Sequence, residues 1–424
     1  MWPPQRPAWG WADRDDRRAG APGVRGSSVI WSEHPVRVRV PATSANLGPG
    51  FDSLGLALAL YDEVEARVTS DGLSVAVSGE GEQIAGAGEQ HLVVMAMRAA
   101  FGAMGGQPPG IALRCVNAIP HGRGLGSSAA AVVSGLLAAR ALVAGGADLL
   151  PDEDVLALAV ELEGHPDNVA ACLAGGLTVA WRRGVAGGED PAPGAGVFRG
   201  GPGEPGVDTP VPGADVIRGG TGGAVGVLRL PVLDSLSTVA CVAPTALATR
   251  EARRALPELV PHADAAANAA RSALLVAGLT RDPAVLFDAT EDFLHQRYRA
   301  PVMPETADLL GRLRRAGVAA VVSGAGPSIL AMIVAGQQPG PEVVDSIALE
   351  TGITWAVIPL DVDRQGPAIQ PQPGAQLLHT RQGRSFNQAP GPGIHPAGWS
   401  PQGRVARSAT DGPLSGECRG LLWC

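Results

Sequence analysis

Residues 120–128 read PHGRGLGSS, and residues 127–143 continue this stretch as an Ala-, Val- and Leu-rich run. The run predicts a buried helix in which Gly135 is the one helix-breaking residue. Glycines ahead of a helix let the backbone turn tightly and approach an anion, and the first N–H groups of the helix are free to bind it. The stretch therefore predicts a phosphate-binding loop; a plain connection capped by serine is the alternative interpretation of the same residues.

The basic residues narrow the class of phosphate site. The chain has 33 basic residues and no lysine, so all of them are arginine. A Walker A loop, a protein-kinase fold and a pyridoxal phosphate site each need a lysine, and the third glycine of the Rossmann fingerprint is missing here. Phosphate must therefore be held by backbone N–H groups, hydroxyl groups and arginine.

Length and composition predict two folded domains with loose segments. The chain has 424 residues, 45% of them hydrophobic, and its 58 Gly and 37 Pro indicate long loop or disordered stretches. A net charge of −8 without a basic stripe argues against nucleic acid as a partner. Five scattered cysteines without a C-x-x-C pair, no signal-peptide pattern and no membrane-spanning run predict a cytoplasmic protein with reduced thiols.

Hydrophobic periodicity predicts strands and helices that alternate along the chain. Residues 36–40 alternate as a strand that Pro41 ends, and a loop follows at 42–53. Further strands are predicted at 54–60, 64–68, 73–77, 110–116, 225–230, 238–244, 318–322 and 329–334. Helices are predicted at 91–104, 127–143, 152–162, 168–174, 249–255, 262–277 and 283–291.

Composition divides the chain into five segments. The ends and the middle are rich in Gly and Pro and hold too little apolar surface to offset the entropy of ordering. We predict a disordered extension at 1–34, an N-terminal domain at 35–182, a Gly/Pro-rich insertion at 183–223, a C-terminal domain at 224–364 and a disordered tail at 365–424.

Four motifs together resemble one known family. The loop at 120–129 resembles the ATP loop of the GHMP small-molecule kinases, P-x-x-x-G-L-G-S-S-A. Residues 41–52 (PATSANLGPGFD) and 163–170 (EGHPDNVA) resemble the N-terminal motif and the substrate and metal region of the homoserine kinase branch of that family. Residues 323–328 (SGAGPS) resemble its C-terminal glycine loop, so the likeness spans about 36–360.

The resemblance implies a two-domain fold and a reaction. The expected fold is α+β, with a ribosomal-S5-like N-terminal domain that binds ATP and a ferredoxin-like C-terminal domain, and the site lies in the cleft between them. The expected activity is that of an ATP-dependent phosphotransferase, which moves the γ-phosphate of ATP to the hydroxyl group of L-homoserine with Mg²⁺ and gives O-phospho-L-homoserine in threonine biosynthesis. The resemblance also implies a homodimer.

By the same resemblance, individual residues receive expected roles. Asn168 would sit beside the attacking hydroxyl group with His165, and Glu163 would hold Mg²⁺ with Ser127 or Ser128, although Glu161 is a rival ligand. Expected ATP contacts are Pro120, Gly122, Arg123, Gly124, Leu125, Gly126, Ser127, Ser128, Gly324 and Gly326. Expected substrate contacts are Asn46, Asp52, His165, Asp167, Thr249, Arg253 and Arg299, in which guanidinium groups suit the carboxylate and Asp52 suits the ammonium group.

Two competing hypotheses remain at this point. A sibling kinase would act on mevalonate, a sugar or another alcohol, and a non-catalytic member of the fold would sense a nucleotide or metabolite. Asn168 together with the acidic and arginine residues favours an amino-acid substrate. Because phosphoryl transfer passes through a loose transition state, positioning matters more than early removal of the hydroxyl proton, and an Asn can serve where an Asp base is expected.

Overall fold

The computed structural model describes residues 29–182, 215–218 and 225–371, and every structural statement concerns these ranges. Most of the two predicted disordered ends and most of the predicted insertion lie outside the described residues. No helix in the described ranges has the length and apolar character needed to cross a membrane.

Twelve strands in the described ranges form two sheets. The larger sheet follows the order β12-β1-β2-β5-β7-β6, with β4 beside β2 and β3 beside β4, and all its pairs except β3–β4 are antiparallel. The smaller sheet is antiparallel with the order β11-β8-β10-β9. The strands are β1 Val36–Ala45, β2 Leu54–Thr69, β3 Gly72–Gly79, β4 Gly110–Asn117, β5 Leu177–Arg182, β6 Asp215–Arg218, β7 Val225–Leu230, β8 Leu236–Val242, β9 Ala319–Val322, β10 Ile329–Val334, β11 Ala356–Leu360 and β12 Ala368–Pro371.

A buried helix follows the phosphate loop, and helices α1, α3, α4 and α5 of the set below contact it. Three short 3₁₀ segments, Glu82–Gln90, Pro283–Val285 and Ala300–Val302, connect some of them. The α-helices are α1 Leu92–Ala103, α2 Ser127–Ala141, α3 Gly146–Leu149, α4 Asp152–Glu163, α5 Pro166–Ala174, α6 Thr249–Arg254, α7 His262–Thr280, α8 Leu286–Ala289, α9 Gln296–Arg299, α10 Pro304–Arg315 and α11 Pro341–Glu350.

Helix α2 is buried on nearly all sides, as its composition predicts. Residues Ala129 to Ala139 include only one position that is not fully buried, and the helix contacts α1, α4, α5 and β1. Gly135 does not break the helix. A Cβ atom at this position would lie 2.5 Å from the Val93 carbonyl oxygen, so the glycine lets α1 and α2 approach closely. The helix thereby fixes the phosphate loop to the core.

The first strand corrects two sequence predictions. Pro41 does not end β1, which continues to Ala45, so the predicted loop at 42–53 is shorter than expected. The register with β2 shifts between Pro41 and Ala42, and proline is tolerated at such an irregularity because no ladder hydrogen bond is lost there. The two strands predicted at 54–60 and 64–68 are the single strand β2, which pairs with β5 near its start and with β4 near its end.

The smaller sheet carries helices α10 and α11 against one face. A second hydrophobic core lies between them and contains Leu309 and Leu313 of α10, Val344 of α11, and Val239 and Ala331 of the sheet. Chain order β8, β9, β10, β11 with this spatial order gives the expected ferredoxin-like arrangement. The sequence analysis did not predict α10, α11 or β11, and the helix predicted at 283–291 is a 3₁₀ turn followed by the short helix α8.

The larger sheet draws strands from beyond the predicted boundaries of the N-terminal domain. Strand β7 pairs with β5, although residues 224–364 were assigned to the C-terminal domain, and β6 lies inside the predicted insertion. Strand β12 pairs with β1, although it falls in the predicted tail. At the other end, Trp31 bridges Val143 and packs edge-on against Phe101 at 5.3 Å. Strands β6, β7 and β12 therefore add residues from outside 35–182 to the larger sheet.

Candidate active site

One cleft collects the residues of all four motifs. Its walls are the start of α2, the α4–α5 turn, the loop after β1, helix α6 and the glycine loop after β9. All the site residues predicted from the sequence line this cleft except Pro120, Arg123 and Leu125. Leu247 and Ala325 also line it and were not predicted.

The phosphate loop needs glycine at its turns. Gly122, Gly124 and Gly126 have φ angles of 65°, 77° and 73°, in the left-handed region that side chains disfavour. A Cβ atom at Gly124 would lie 2.2 Å from the Ser323 carbonyl oxygen, and one at Gly126 would lie 1.9 Å from Thr43 Oγ1. The loop is thus confined between two neighbouring segments, and the free N–H groups at the start of α2 follow it directly.

Three predicted ATP contacts serve to hold this loop. Pro120 is buried, and Leu125 is fully buried with its carbonyl oxygen accepting a hydrogen bond from the Thr43 N–H at 3.0 Å. Arg123 donates to the carbonyl oxygens of Ala243 at 3.0 Å and Pro244 at 3.3 Å. Its guanidinium group ties the loop to the end of β8 and does not line the cleft, so the expected ATP contact of Arg123 stays a prediction.

The second glycine loop joins the first motif to the phosphate loop. Ser323 Oγ lies 2.7 Å from the Gly124 carbonyl oxygen and 2.8 Å from Ser44 Oγ. The Asn46 side-chain N–H donates to the Gly324 carbonyl oxygen at 2.7 Å. The three segments are therefore one hydrogen-bonded unit, which explains why motifs nearly 280 residues apart contribute to one site.

Ser128 and Glu163 form a pair that suits a metal–nucleotide complex. Ser128 Oγ donates to Glu163 Oε2 at 2.7 Å at the end of α4. Burial raises the pKa of Glu163, although the Ser128 hydrogen bond and the nearby His165 act in the opposite direction. Glu161 is exposed and does not line the cleft, so Glu163 is the better placed of the two rival ligands.

The described residues contain no group of three or more His, Cys, Asp or Glu side chains that could hold a metal. A hydroxyl and one carboxylate leave most coordination positions to phosphate oxygens and water. Mg²⁺ keeps several waters and is commonly bound by one or two carboxylates plus substrate phosphates, so this pair fits that ion.

The turn between α4 and α5 organises three polar side chains. Asp167 is 2% exposed, and its Oδ1 accepts hydrogen bonds from His165 Nδ1 at 2.8 Å and from the Asn168 backbone N–H at 2.9 Å. Burial alone would lower the pKa of His165. The hydrogen bond and charge of Asp167, together with the charge of Glu163, outweigh this effect, so the pKa is raised. Asn168 Oδ1 accepts from Thr43 Oγ1 at 2.8 Å.

Two arginines and an aspartate line the opposite wall. Arg253 makes a bidentate ion pair with Asp52, at 2.7 and 3.1 Å. Arg299 is 1% exposed and donates to the carbonyl oxygens of Ala252 and Gly324. Burial, and then the charge of Arg253, lower the pKa of Arg299 to about 10. The wall thus holds an excess of positive charge beside one carboxylate.

Besides Leu247 and Ala325, sequence reasoning missed two buried residues behind the cleft lining. Thr43 is fully buried on β1 and contacts Asn168, and His295 is fully buried with Nε2 2.8 Å from the Gly48 carbonyl oxygen and Nδ1 3.1 Å from Arg299 Nη1. His295 is neutral with the proton on Nε2 in this arrangement, because Nδ1 accepts from Arg299, and burial lowers its pKa. Both act through a neighbour, and sequence spacing carries no signal for such contacts.

The loop after β1 holds an unusual backbone conformation. Asn46, Leu47 and Asp52 have φ angles of 66°, 49° and 54°, which are uncommon for residues other than glycine. The Asp52 N–H donates to Asn46 Oδ1 at 2.9 Å and thereby stabilises the turn. Such strain clusters at binding sites, where the surrounding structure maintains it.

Comparison with known proteins agrees with the motifs. Residues 91–176 match the model of the GHMP kinases N terminal domain, and residues 276–349 match that of the GHMP kinases C terminal domain. The chain is 46% identical over 336 residues to homoserine kinase of Streptomyces coelicolor, which covers 79% of this chain and 94% of the relative. It is 44% identical over 346 residues to homoserine kinase of Clavibacter michiganensis, covering 81% and 96%.

A solved structure supports the fold. The crystal structure of homoserine kinase from Cytophaga hutchinsonii matches with a TM-score of 0.60 at 24% identity, covering 82% of this chain and 100% of that chain.

Proposed function

We propose that this cleft is the active site of the protein. The chain belongs to the homoserine kinase family of the GHMP kinases. The chain is an ATP-dependent kinase, and its reaction is transfer of the γ-phosphate of ATP to the hydroxyl group of L-homoserine, which gives O-phospho-L-homoserine in threonine biosynthesis. The observation that carries the assignment of the site is the convergence of all four motifs on one cleft.

The phosphate loop and the start of α2 would hold the phosphates of ATP. Three left-handed glycines expose backbone N–H groups, and the helix dipole adds positive potential where the negative charge lies. Gly324 and Gly326 close the site from the other side. Because the chain has no lysine, these backbone dipoles take the part that a lysine plays in other kinases.

Ser128 and Glu163 would hold Mg²⁺. The ion, when bound, would neutralise charge on the phosphate oxygens and help to orient them. The burial of Glu163 keeps this carboxylate in a water-poor part of the cleft, where its charge acts strongly on a cation.

The Asp52, Arg253 and Arg299 wall fits a zwitterion. A carboxylate of the substrate would bind the guanidinium groups, and its ammonium group would bind Asp52, which already carries an ion pair with Arg253. Thr249 begins α6 at the same wall. Mevalonate and sugars have no ammonium group for Asp52, and this favours an amino acid over those alcohols.

Asn168 would orient the substrate hydroxyl group, and His165 would contact the substrate. The charge and hydrogen bond of Asp167 and the charge of Glu163 raise the pKa of His165, and the contact between its Nδ1 and Asp167 orients the ring at the cleft. In a loose transition state, orientation and charge stabilisation dominate, so the site needs no strong base. Location in the cytoplasm and assembly as a homodimer are part of the same proposal and rest on the family resemblance.

The test is ADP release by the full-length chain with MgATP and a panel of L-homoserine, mevalonate, galactose and shikimate. We expect turnover with L-homoserine and rates at least 100-fold lower with the other alcohols, because they leave charged groups of the cleft unpaired. Turnover of mevalonate at a comparable rate would indicate a sibling kinase. ATP binding without turnover of any alcohol would indicate a sensor.

A further inference from the structure

Thr43 is a fully buried residue that lies behind the cleft lining and contacts two parts of it, Asn168 and the phosphate loop. It lies on β1 opposite Ala57 of β2, and its backbone N–H donates to the Leu125 carbonyl oxygen of the phosphate loop at 3.0 Å. Its hydroxyl group lies 2.8 Å from Asn168 Oδ1. A Cβ atom at Gly126 would lie 1.9 Å from this hydroxyl oxygen and 3.2 Å from Asn168 Oδ1. Phosphate loop, hydroxyl group and amide are therefore stacked in direct contact.

The direction of this hydrogen bond determines what the amide offers to the cleft. A threonine hydroxyl group has one proton, and an amide oxygen can only accept, so Thr43 donates and Asn168 Oδ1 accepts. The amide oxygen and the NH₂ nitrogen both lie in the amide plane and point away from Cγ in different directions. With its oxygen directed to Thr43, Asn168 presents its NH₂ group to the cleft, which its side chain lines.

We propose that Thr43 is a positioning residue, which holds the Asn168 amide so that its NH₂ group donates to the substrate hydroxyl oxygen. The proposal rests on the kinase function proposed for the cleft and deepens it, because it makes Asn168 a hydrogen-bond donor and not a base. The hydroxyl oxygen bonds to the γ-phosphorus, and the bond from that phosphorus to the β–γ bridging oxygen breaks with its electron pair going to ADP. The hydroxyl proton passes to an oxygen of the transferred phosphoryl group.

Matched variants of the full-length chain test this proposal. Thr43→Val keeps the shape and removes the donor, and Thr43→Ser keeps the donor. Thr178→Val is the control, since Thr178 is also fully buried on the same sheet and its hydroxyl group donates to the Gly55 carbonyl oxygen at 3.3 Å. We expect Thr43→Val to lower kcat by about 10- to 100-fold with KM for ATP changed less than about twofold. Thr43→Ser should recover most of kcat, and Thr178→Val should keep it.

A double-mutant cycle and an isosteric change separate positioning from simple structural damage. If Thr43 acts through Asn168, the Thr43→Val/Asn168→Ala variant will lose no more kcat than Asn168→Ala alone. Asn168→Asp, which accepts but cannot donate, should lose at least as much kcat as Asn168→Ala. Additive losses in the cycle, or an active Asn168→Asp variant, would overturn the proposal.

Folding and function have separate readouts. Thermal unfolding of each variant reports whether it folds, and Thr43→Ala replaces the valine variant in the same cycle if valine prevents folding. If the wild-type chain does not phosphorylate L-homoserine, the proposed function fails. If the wild type turns over and the Thr43→Val variant matches it, only the positioning role fails.

Discussion

Glu163 and Glu161 stand two residues apart on α4 but face different surroundings. Glu163 is hydrogen-bonded to Ser128 in the cleft, whereas Glu161 is exposed outside it. We expect Glu163→Gln to raise the half-saturating Mg²⁺ concentration by about 10- to 100-fold and to lower kcat, because a neutral amide attracts the cation weakly. Glu161→Gln should stay within about twofold of wild type. Titration of ADP release with Mg²⁺ at fixed ATP measures both, and equal effects of the two changes would exclude Glu163 as the specific ligand.

Asp62 couples pH to stability next to the phosphate loop. Its Oδ1 accepts the backbone N–H groups of Ala118 at 2.7 Å and Ile119 at 2.9 Å, immediately before Pro120. Burial raises its pKa from 3.8 to about 6, with the two hydrogen bonds opposing the shift and Glu80 adding to it. Because the native carboxyl group holds its proton at pH values where the unfolded chain has released it, stability falls as pH rises from about 4 to about 6.

The Asp62→Asn variant tests this dependence, since asparagine can accept the same two hydrogen bonds without a charge. We expect its free energy of unfolding, relative to wild type, to increase by up to roughly 3 kcal/mol between pH 4 and pH 7. Urea unfolding at each pH gives the two curves. Any constant offset between them reports the altered hydrogen bonds, and curves that stay parallel would contradict the buried titration.

At the residue scale, the motifs predicted residues that lie together in one cleft, and they did not indicate the partners behind that cleft. Asp52, Asn168 and Arg299 reach the cleft as the resemblance implies. The ATP contact of Arg123 stays a prediction, because sequence does not show which way a loop guanidinium points; here it reaches the carbonyl oxygen of Ala243. Thr43 was missed although it lies in the motif at 41–52, because its partner is 125 residues away and the motif does not show which residue its side chain contacts.

At the scale of elements, the contact between α1 and α2 depends on Gly135. A Cβ atom there would lie 2.5 Å from the Val93 carbonyl oxygen and 2.8 Å from Ala96 Cβ. Gly135→Ala should therefore destabilise the protein by about 1–3 kcal/mol, because the two helices must separate. Gly311→Ala on α10 is the control, since no atom lies within 4 Å of its added Cβ, and it should stabilise by about 0.5–1 kcal/mol. Denaturant unfolding measures the free energy of unfolding of both variants. A gain in stability at both positions would show that α1 and α2 accommodate the added methyl group without destabilising the protein.

Helices with a long apolar run were predictable, whereas the more polar α10 and the short strands β11 and β12 were not. Helices α1, α2, α4 and α7 follow from hydrophobic runs that extend over several turns. The strands β11 and β12 have five and four residues, too few for a clear alternation. Pro41 misled the prediction because proline usually ends a strand, whereas here a register shift accommodates it within β1.

At the scale of the whole molecule, the strand at one edge of the larger sheet, β12, comes from residues that follow the smaller sheet in sequence. Strand β12 pairs with β1 from Val36 to Arg39, on the strand that continues to Thr43. Just before it, Asp363 Oδ1 accepts the backbone N–H groups of Gln365 and Gly366 at 2.7 Å each. A boundary drawn from composition at residue 364 would remove this strand and both hydrogen bonds.

Two truncated chains, ending at residue 371 and at residue 364, test what those seven residues contribute. We expect the shorter chain to be less stable by about 1–3 kcal/mol, because β1 loses its neighbour along one edge and buried polar groups lose partners. Its kcat should fall as well, since β1 carries Thr43 and leads into the loop that holds Asp52. Urea unfolding and ADP release on both chains provide the measurements. Equal stability and equal kcat in the two chains would show that β12 contributes neither to the sheet nor to the site. Equal stability with a lower kcat in the shorter chain would show that β12 affects the cleft alone.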